Sequence, residues 1–388
     1  MGPHGGERRV CVSRGRAVSR LRVAMNLLWC RPGVGGSEEY LVRQLAGVHA
    51  NGHPVDIEVF APRGFSARLP QVATTFTVHE ARSDCMRRPE RVALEHTWLA
   101  SHTRTFDLVH HGGGTVPRLG NDRTLLTVHD VQWVDYPDYV RPVKLRYLRW
   151  MVPRSLHRAT RIAVPTPFVA GTLTEHFGID AGRIGVVRHG LEPHMDAPTP
   201  EAELRSKYSL GNGPVIVFPA ITHPHKNHLF LLDLMVNGGP AWTDPSLRIV
   251  FAGSAGNAER EVRAEVALRG LADRVVMPGR VPGSDRNGLL AFADALVFPS
   301  RYEGFGAPLI EAMRMGAPVI ASDCASIPGV VANAGIVRPL TVDAWSGALD
   351  EARARRTELQ ALGRERAETF TAVLSARDLV REYERTMQ

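Results

Sequence analysis

FPSRYEGFGAPLIEAMRMGAPVIAS, residues 298–322, is the stretch from which the rest of the chain can be read. An apolar run, ALVFPS (295–300), enters it and a second, APVIAS (317–322), leaves it, so a strand is expected on each side. Gly304, Gly306 and Pro308 rule out one helix running from Glu303 to Glu311, whereas Pro308 suits the first position of a helix that Gly316 ends. This reading puts Glu303 in a loop just after a strand and Glu311 in the first turn or so of the next helix. Strand, loop, helix and strand in that order form one unit of a parallel sheet.

Similar units extend in both directions. Before the middle of the chain, apolar runs at 21–29, 55–62, 106–112, 124–130 and 161–166 alternate with helical segments; a second series lies at 214–220, 247–253, 274–279, 295–300 and 317–322. The intervening VVRHGLEPHMDAPTPEAE (186–203) is rich in proline, glycine and charge and reads as a junction. The expectation is an α/β chain of two Rossmann-like, doubly wound domains facing a cleft. Its parts are a disordered basic tail at 1–19, one domain over 20–192, a second over 193–372 and a final helix at 373–388. In such sheets ligands gather at loops leaving the carboxyl ends of strands.

Composition narrows the function. The 388 residues are 44% hydrophobic and 22% charged, enough to build two ordinary cores. Cys11, Cys30, Cys85 and Cys324 form no CxxC pair, which argues against a zinc site or a disulfide framework. No run approaches the roughly 20 apolar residues of a membrane span, and the basic N-terminus has no apolar core of a signal peptide, so a cytoplasmic location is expected. The net charge of +7 is spread over the chain without a nucleic-acid-binding motif.

The opening stretch also suggests a chemistry. A helix start offers free N–H groups and partial positive charge to a diphosphate, and a carboxylate beside it matches vicinal sugar hydroxyls. An acidic residue near a helix start also serves simply to complement the dipole. Lys226, in the loop between PVIVFPA and NHLFLLDLM, supplies a cation that can stabilise a departing diphosphate; a solvated helix-end lysine is the plain alternative. His223, His225 and His228 lie close in sequence but have no carboxylate or cysteine near them, so no metal is expected there. Gly33, Gly35 and Gly36 follow the first strand like a phosphate-cradling loop, yet GVGGSEE is not a dinucleotide fingerprint.

SRYEGFGAPLIEAMRMGAPVIASDCASIPGV resembles the E-x7-E signature of the retaining GT-B glycosyltransferases of family 4. RPGVGGSEEYLVRQLAG, TVHDVQWVDYP, VVRHGLEP and ITHPHKNHLFLL are similar to that family's glycine loop, acceptor-side histidine segment, linker and phosphate-lysine segment. The resemblance implies that Glu311 binds the ribose hydroxyls and that Glu303 approaches the transferred sugar. It implies that the amides of Gly304, Phe305 and Gly306 touch that sugar, and that those around Ala307, Pro308 and Leu309 touch the phosphates. It also places His129 at the transferred sugar, Gly35 and Gly36 at the diphosphate or acceptor, Gly253 and Ser254 at phosphate, and Arg280 and Val281 beside the base. Two positions depart from the family: Ala220 stands where an arginine is usual, and Gly329 where a glutamate is common.

The implied reaction is hexose transfer from a nucleoside diphosphate sugar, first guess GDP-mannose, with retention of configuration. It uses no metal, cofactor or enzyme nucleophile, and the acceptor is a hydroxyl of a saccharide, a glycolipid or other lipid-linked molecule, or a small molecule. An inactive GT-B partner subunit and a nucleotide-sugar epimerase remain alternatives. VRPVKLRYLRWMVPRSLHRATR (140–161), basic with interleaved apolar residues, is read either as a solvated helix face or as a membrane-surface helix. Trp133, Tyr136 and Tyr139 are read either as a stacking surface for an acceptor sugar or as core.

Overall fold

The computed structural model describes residues 20–31, 36–52, 55–191 and 196–388. The expected tail at 1–19 lies outside the described residues, as do Gly33 and Gly35.

The first sheet contains β1 (Leu21–Asn26), β2 (Val55–Ala61), β3 (Thr77–Glu80), β4 (Leu108–His111), β5 (Thr124–Thr127), β6 (Arg161–Val164) and β7 (Ile184–Val186), in the order β3-β2-β1-β4-β5-β6-β7. The second contains β8 (Val215–Val217), β9 (Arg248–Val250), β10 (Val275–Val276), β11 (Ala295–Phe298), β12 (Val319–Ser322) and β13 (Ile336–Arg338), ordered β10-β9-β8-β11-β12-β13. Every strand pair is parallel. The central strands β4, β5, β8, β11 and β12 are buried at every residue, which is why β8 and β11 read as unbroken apolar runs. Both sheets are α/β and doubly wound.

In each sheet the strand order reverses direction once, between β1 and β4 in the first and between β8 and β11 in the second. At such a reversal the loops leaving two neighbouring strands diverge and open a crevice. The loop after β8 carries Lys226 and the loop after β11 carries Glu303.

The chain passes between the domains twice, side by side. Leu191 N donates to Phe370 O at 2.6 Å and Ala372 N donates to Leu191 O at 3.0 Å. The last helix, Ala372–Met387, then packs on the helix Gly36–Ala50 and buries Ala376, Leu379, Val380 and Tyr383 in the core under β1, β2 and β4. Tyr383 Oη lies 2.9 Å from Nδ1 of the buried His110.

Candidate functional site

Gly306 adopts a left-handed backbone, φ 90°, and turns the chain from the loop into the helix Ala307–Met315; Gly316, φ 83°, ends that helix. Four consecutive amides of this turn, those of Gly304, Phe305, Gly306 and Ala307, have no hydrogen-bond acceptor among the described residues. Pro308 has no N–H, and Leu309 N is already donated to Gly306 O at 3.0 Å, so its amide is not open at the helix start. Leu309 itself is buried in the second core. The anion-seeking part of the turn is therefore Gly304–Ala307, where successive N–H groups form a concave nest.

Lys226 and Glu303 meet at this turn. Lys226 ends a short 3-10 turn, Pro224–Lys226, and its Nζ is 2.5 Å from Glu303 Oε1 and 5.6 Å from the centre of the Phe298 ring. Ser326 Oγ donates to Glu303 O at 2.8 Å, which fixes the backbone of the loop.

Glu311 departs from the sequence expectation in its setting. The helix begins at Ala307, so Glu311 is its fifth residue and lies in the second turn, away from the free amides. It is 3% exposed. Burial alone would push its carboxyl up, but Arg43 and Arg286 outweigh that and hold it below the ordinary carboxylate range. Arg43 Nη2 lies 2.8 Å from Glu311 Oε1, and Arg286 Nη1 lies 3.5 Å from Oε2. Arg43 comes from the helix Gly36–Ala50 of the first domain, so this pair spans the cleft. Neither arginine stood out in the sequence.

The first domain closes against the same turn. A Cβ added to Gly304 would lie 2.1 Å from His129 O, and Thr166 Oγ1 donates to Gly304 O at 2.9 Å. Only a glycine permits that approach. Phe305 stacks on His189 with ring centres 4.5 Å apart; His189 contacts Tyr40, and Tyr40 contacts His129 edge-on at 5.4 Å. His129 lies two residues beyond the end of β5, its Nε2 is 3.1 Å from Gly112 O, and burial pushes its pKa down to about 4. It is therefore neutral at pH 7 and suited to hydrogen bonding rather than to carrying charge.

The remaining expected residues are more dispersed. Gly253 presses on the loop after β8, since a Cβ there would lie 1.8 Å from Ala220 O, and Ser254 O accepts from Thr222 N at 3.3 Å. Ala220 is 6% exposed and has no reach into the crevice. Arg280 is exposed and Val281 packs against the second core, both just before the helix Gly283–Phe292 that carries Arg286. Gly36 is the exposed first residue of its helix. Tyr136 and Tyr139 stack on each other at 5.3 Å and face Tyr302 and His225 across the cleft, while Trp133 is buried against Phe177. Among the described residues no three His, Cys, Asp or Glu side chains converge into a metal-ligand set, and His228 is buried between Phe218 and Phe251.

Two facing parallel-sheet domains, with a cation, a carboxylate and a helix-start nest at the crevice of the second, define the GT-B class of fold. The model for Glycosyltransferase Family 4 matches residues 34–194 and that for Glycosyl transferases group 1 matches residues 201–368, so that together they take in both domains. The chain belongs to the GT-B glycosyltransferases of family 4. It is 30% identical to O-antigen chain mannosyltransferase B of Escherichia coli over 62% of this chain and 64% of that protein. It is also 30% identical to O-antigen chain mannosyltransferase RfbU of Salmonella typhimurium over 62% of each. In both cases the match spans less than two thirds of the relative's length. The Anabaena protein HepE, solved with UDP and glucose, shares the fold at a TM-score of 0.71 and 18% identity, covering 94% of this chain and all of that one.

Proposed function

We propose that the protein transfers a hexose from a nucleoside diphosphate sugar to a hydroxyl acceptor with retention of configuration and without a metal. The observation that carries this reading is the run of open amides at Gly304–Ala307 beside the Lys226–Glu303 pair. A diphosphate seated on those amides would draw Lys226 away from Glu303, and the lysine would then neutralise the charge that builds on the leaving group. Glu303, released from that pair, would accept from the hydroxyls of the transferred sugar. Glu311 would take the ribose, and Arg280 and Val281 would flank the base. Across the cleft, neutral His129, with its Nε2–H donated to Gly112 O, would accept a hydrogen bond at Nδ1 from a hydroxyl of the same sugar.

Attack from the face that the leaving group vacates lets a donor phosphate oxygen take the acceptor's proton, so no enzyme nucleophile is called for. The mannosyltransferase relatives favour mannose as the sugar, and GDP is proposed as its carrier. The helix Pro142–Arg158 supports peripheral contact with an anionic bilayer, because it holds five Lys or Arg and no acidic residue, and leaves Val143 and Trp150 on its surface 74% and 51% exposed. No helix among the described residues is long and apolar enough to cross a membrane.

The decisive experiment is a thermal-shift screen against a panel of nucleotide sugars, followed by assay of nucleoside diphosphate release with the one that stabilises most. A protein that none of them stabilises would remove the proposal.

A further inference from the structure

The crevice of the first sheet, where the strand order reverses between β1 and β4, also holds a cavity. It has a volume of about 260 Å³, opens beside His129 and is lined among others by Arg88, Arg91, Lys144, Asp130 and Thr115. None of its cations entered the reading of the donor site. Three positive side chains thus face one carboxylate, and the compensation is poor. Asp130 Oδ1 already accepts from Gln132 N at 3.1 Å, and Arg91 Nε lies 3.7 Å from the buried Glu95. Arg88 and Lys144 have no ion-pair partner among the described residues; Arg88 instead lies over the Tyr147 ring at 4.8 Å. Burial first, and then Arg91, hold Arg88 below its ordinary pKa; burial and Arg88 do the same to Lys144. Crowded like charges oppose folding unless an anion relieves them.

A polar group also waits in the same wall. Thr115 is 7% exposed, and its hydroxyl makes no hydrogen bond to the described residues. A carboxylate has two oxygens and is filled by a single guanidinium fork. A phosphate carries more charge and enough acceptor oxygens to reach two arginines, a lysine and a hydroxyl together.

We propose that this cavity is an acceptor subsite for a phosphate group, carried either by a sugar phosphate in solution or by a lipid phosphate at a bilayer surface. The proposal rests on the transfer reaction proposed above and specifies its acceptor class. The phosphate would anchor the acceptor in the first domain while its hydroxyl faces the cleft beside His129.

The test is binding of inorganic phosphate, read by calorimetry, to the full chain and to Arg88→Gln, Lys144→Gln and Lys226→Ala. Each of the first two is expected to weaken phosphate binding about tenfold, the size of one lost charge-assisted hydrogen bond. Lys226→Ala, altered in the other crevice, is expected to retain it. Lys144 is exposed, so its substitution keeps the test valid even if Arg88→Gln folds poorly. Binding unaffected by both substitutions, or lost only with Lys226→Ala, overturns the proposal, as does no binding at all. GDP and UDP binding measured on the same samples reports the donor reading separately: its absence from the wild-type protein with phosphate binding intact sinks that reading and not this one. A hexose 6-phosphate and phosphatidylcholine vesicles carrying phosphatidic acid, each compared between wild type and Lys144→Gln, identify the source. A response to neither overturns the proposal.

Discussion

Arg43 and Glu311 stand 268 positions apart in the chain and 2.8 Å apart in space, each about 5% exposed or less, one in each domain. The carboxylate proposed above to take the ribose is thus also a tie across the cleft, with Arg286 as its partner within the second domain.

Removing one member of a buried charged pair leaves the other uncompensated. Arg43→Ala is expected to cost about 3 kcal/mol of stability, seen as a lower thermal midpoint, whereas an exposed substitution such as Arg149→Ala should stay within about 0.5 kcal/mol. A midpoint equal to wild type for Arg43→Ala would show that the pair holds nothing.

Gly304→Ala tests the approach of the two domains. Its methyl group would meet His129 O at 2.1 Å, backbone against backbone, so the cleft must widen. Transfer is expected to fall about 100-fold, since small misplacement of reacting groups is costly, while nucleotide binding to the second domain persists. Small-angle scattering should show a larger radius of gyration; full activity at an unchanged radius refutes this account.

The two glutamates should separate kinetically. Glu303→Ala is expected to abolish transfer with the fold intact, Glu311→Ala to weaken nucleotide affinity and, by stranding Arg43 and Arg286, to lower the thermal midpoint as well, and Lys226→Ala to lower turnover by about 100-fold or more. If steady-state kinetics and calorimetry find both glutamate variants unchanged, the assignment fails.

Buried histidines set an acid limit. Burial pushes His110 and His111 down to about 3 each, and His129 to about 4, from 6.5 in an unfolded chain. The unfolded state therefore binds more protons between those values. Stability should be complete above pH 6.5 and fall as pH drops towards 4, by up to about 1.4 kcal/mol per pH unit for each such ring. This window lies above the range in which paired carboxylates such as Glu311 titrate. Denaturation midpoints that stay flat between pH 7 and pH 5 would contradict it.

Bilayer contact through the helix Pro142–Arg158 predicts co-sedimentation with phosphatidylglycerol vesicles that weakens with salt and is reduced several-fold by Trp150→Glu. Absence of binding at low salt removes the idea.

The interior strands were legible because burial on both faces fills β8 and β11 with apolar residues and leaves only His110, His111, Thr124, Thr127 and Ser322 as polar members of β4, β5 and β12. The edges were not: β3 (TVHE) is half-exposed throughout, and β7 and β13 have three residues each, too short for a pattern. Glu303 and Lys226 were legible because each follows a strand, and adjacent strands bring such loops together. Glu311's surroundings were hidden, since its partners lie on helices of two domains and only the tertiary fold joins them. The first-domain cavity was hidden for the same reason: Arg88 and Arg91 share one helix and Lys144 belongs to another, and each helix looks by itself like solvated basic surface.

The docking of Ala372–Met387 against Gly36–Ala50 bears on how the protein is made. Tyr383, fully enclosed in the first domain, leaves the ribosome after all the residues of the second. During synthesis the earlier domain must wait with an open apolar trough until the second domain has been translated, so it cannot reach its final state in the usual N-to-C order. The nascent chain thus offers a chaperone a target along that trough, and removal of the helix Ala372–Met387 should damage the half of the molecule made first.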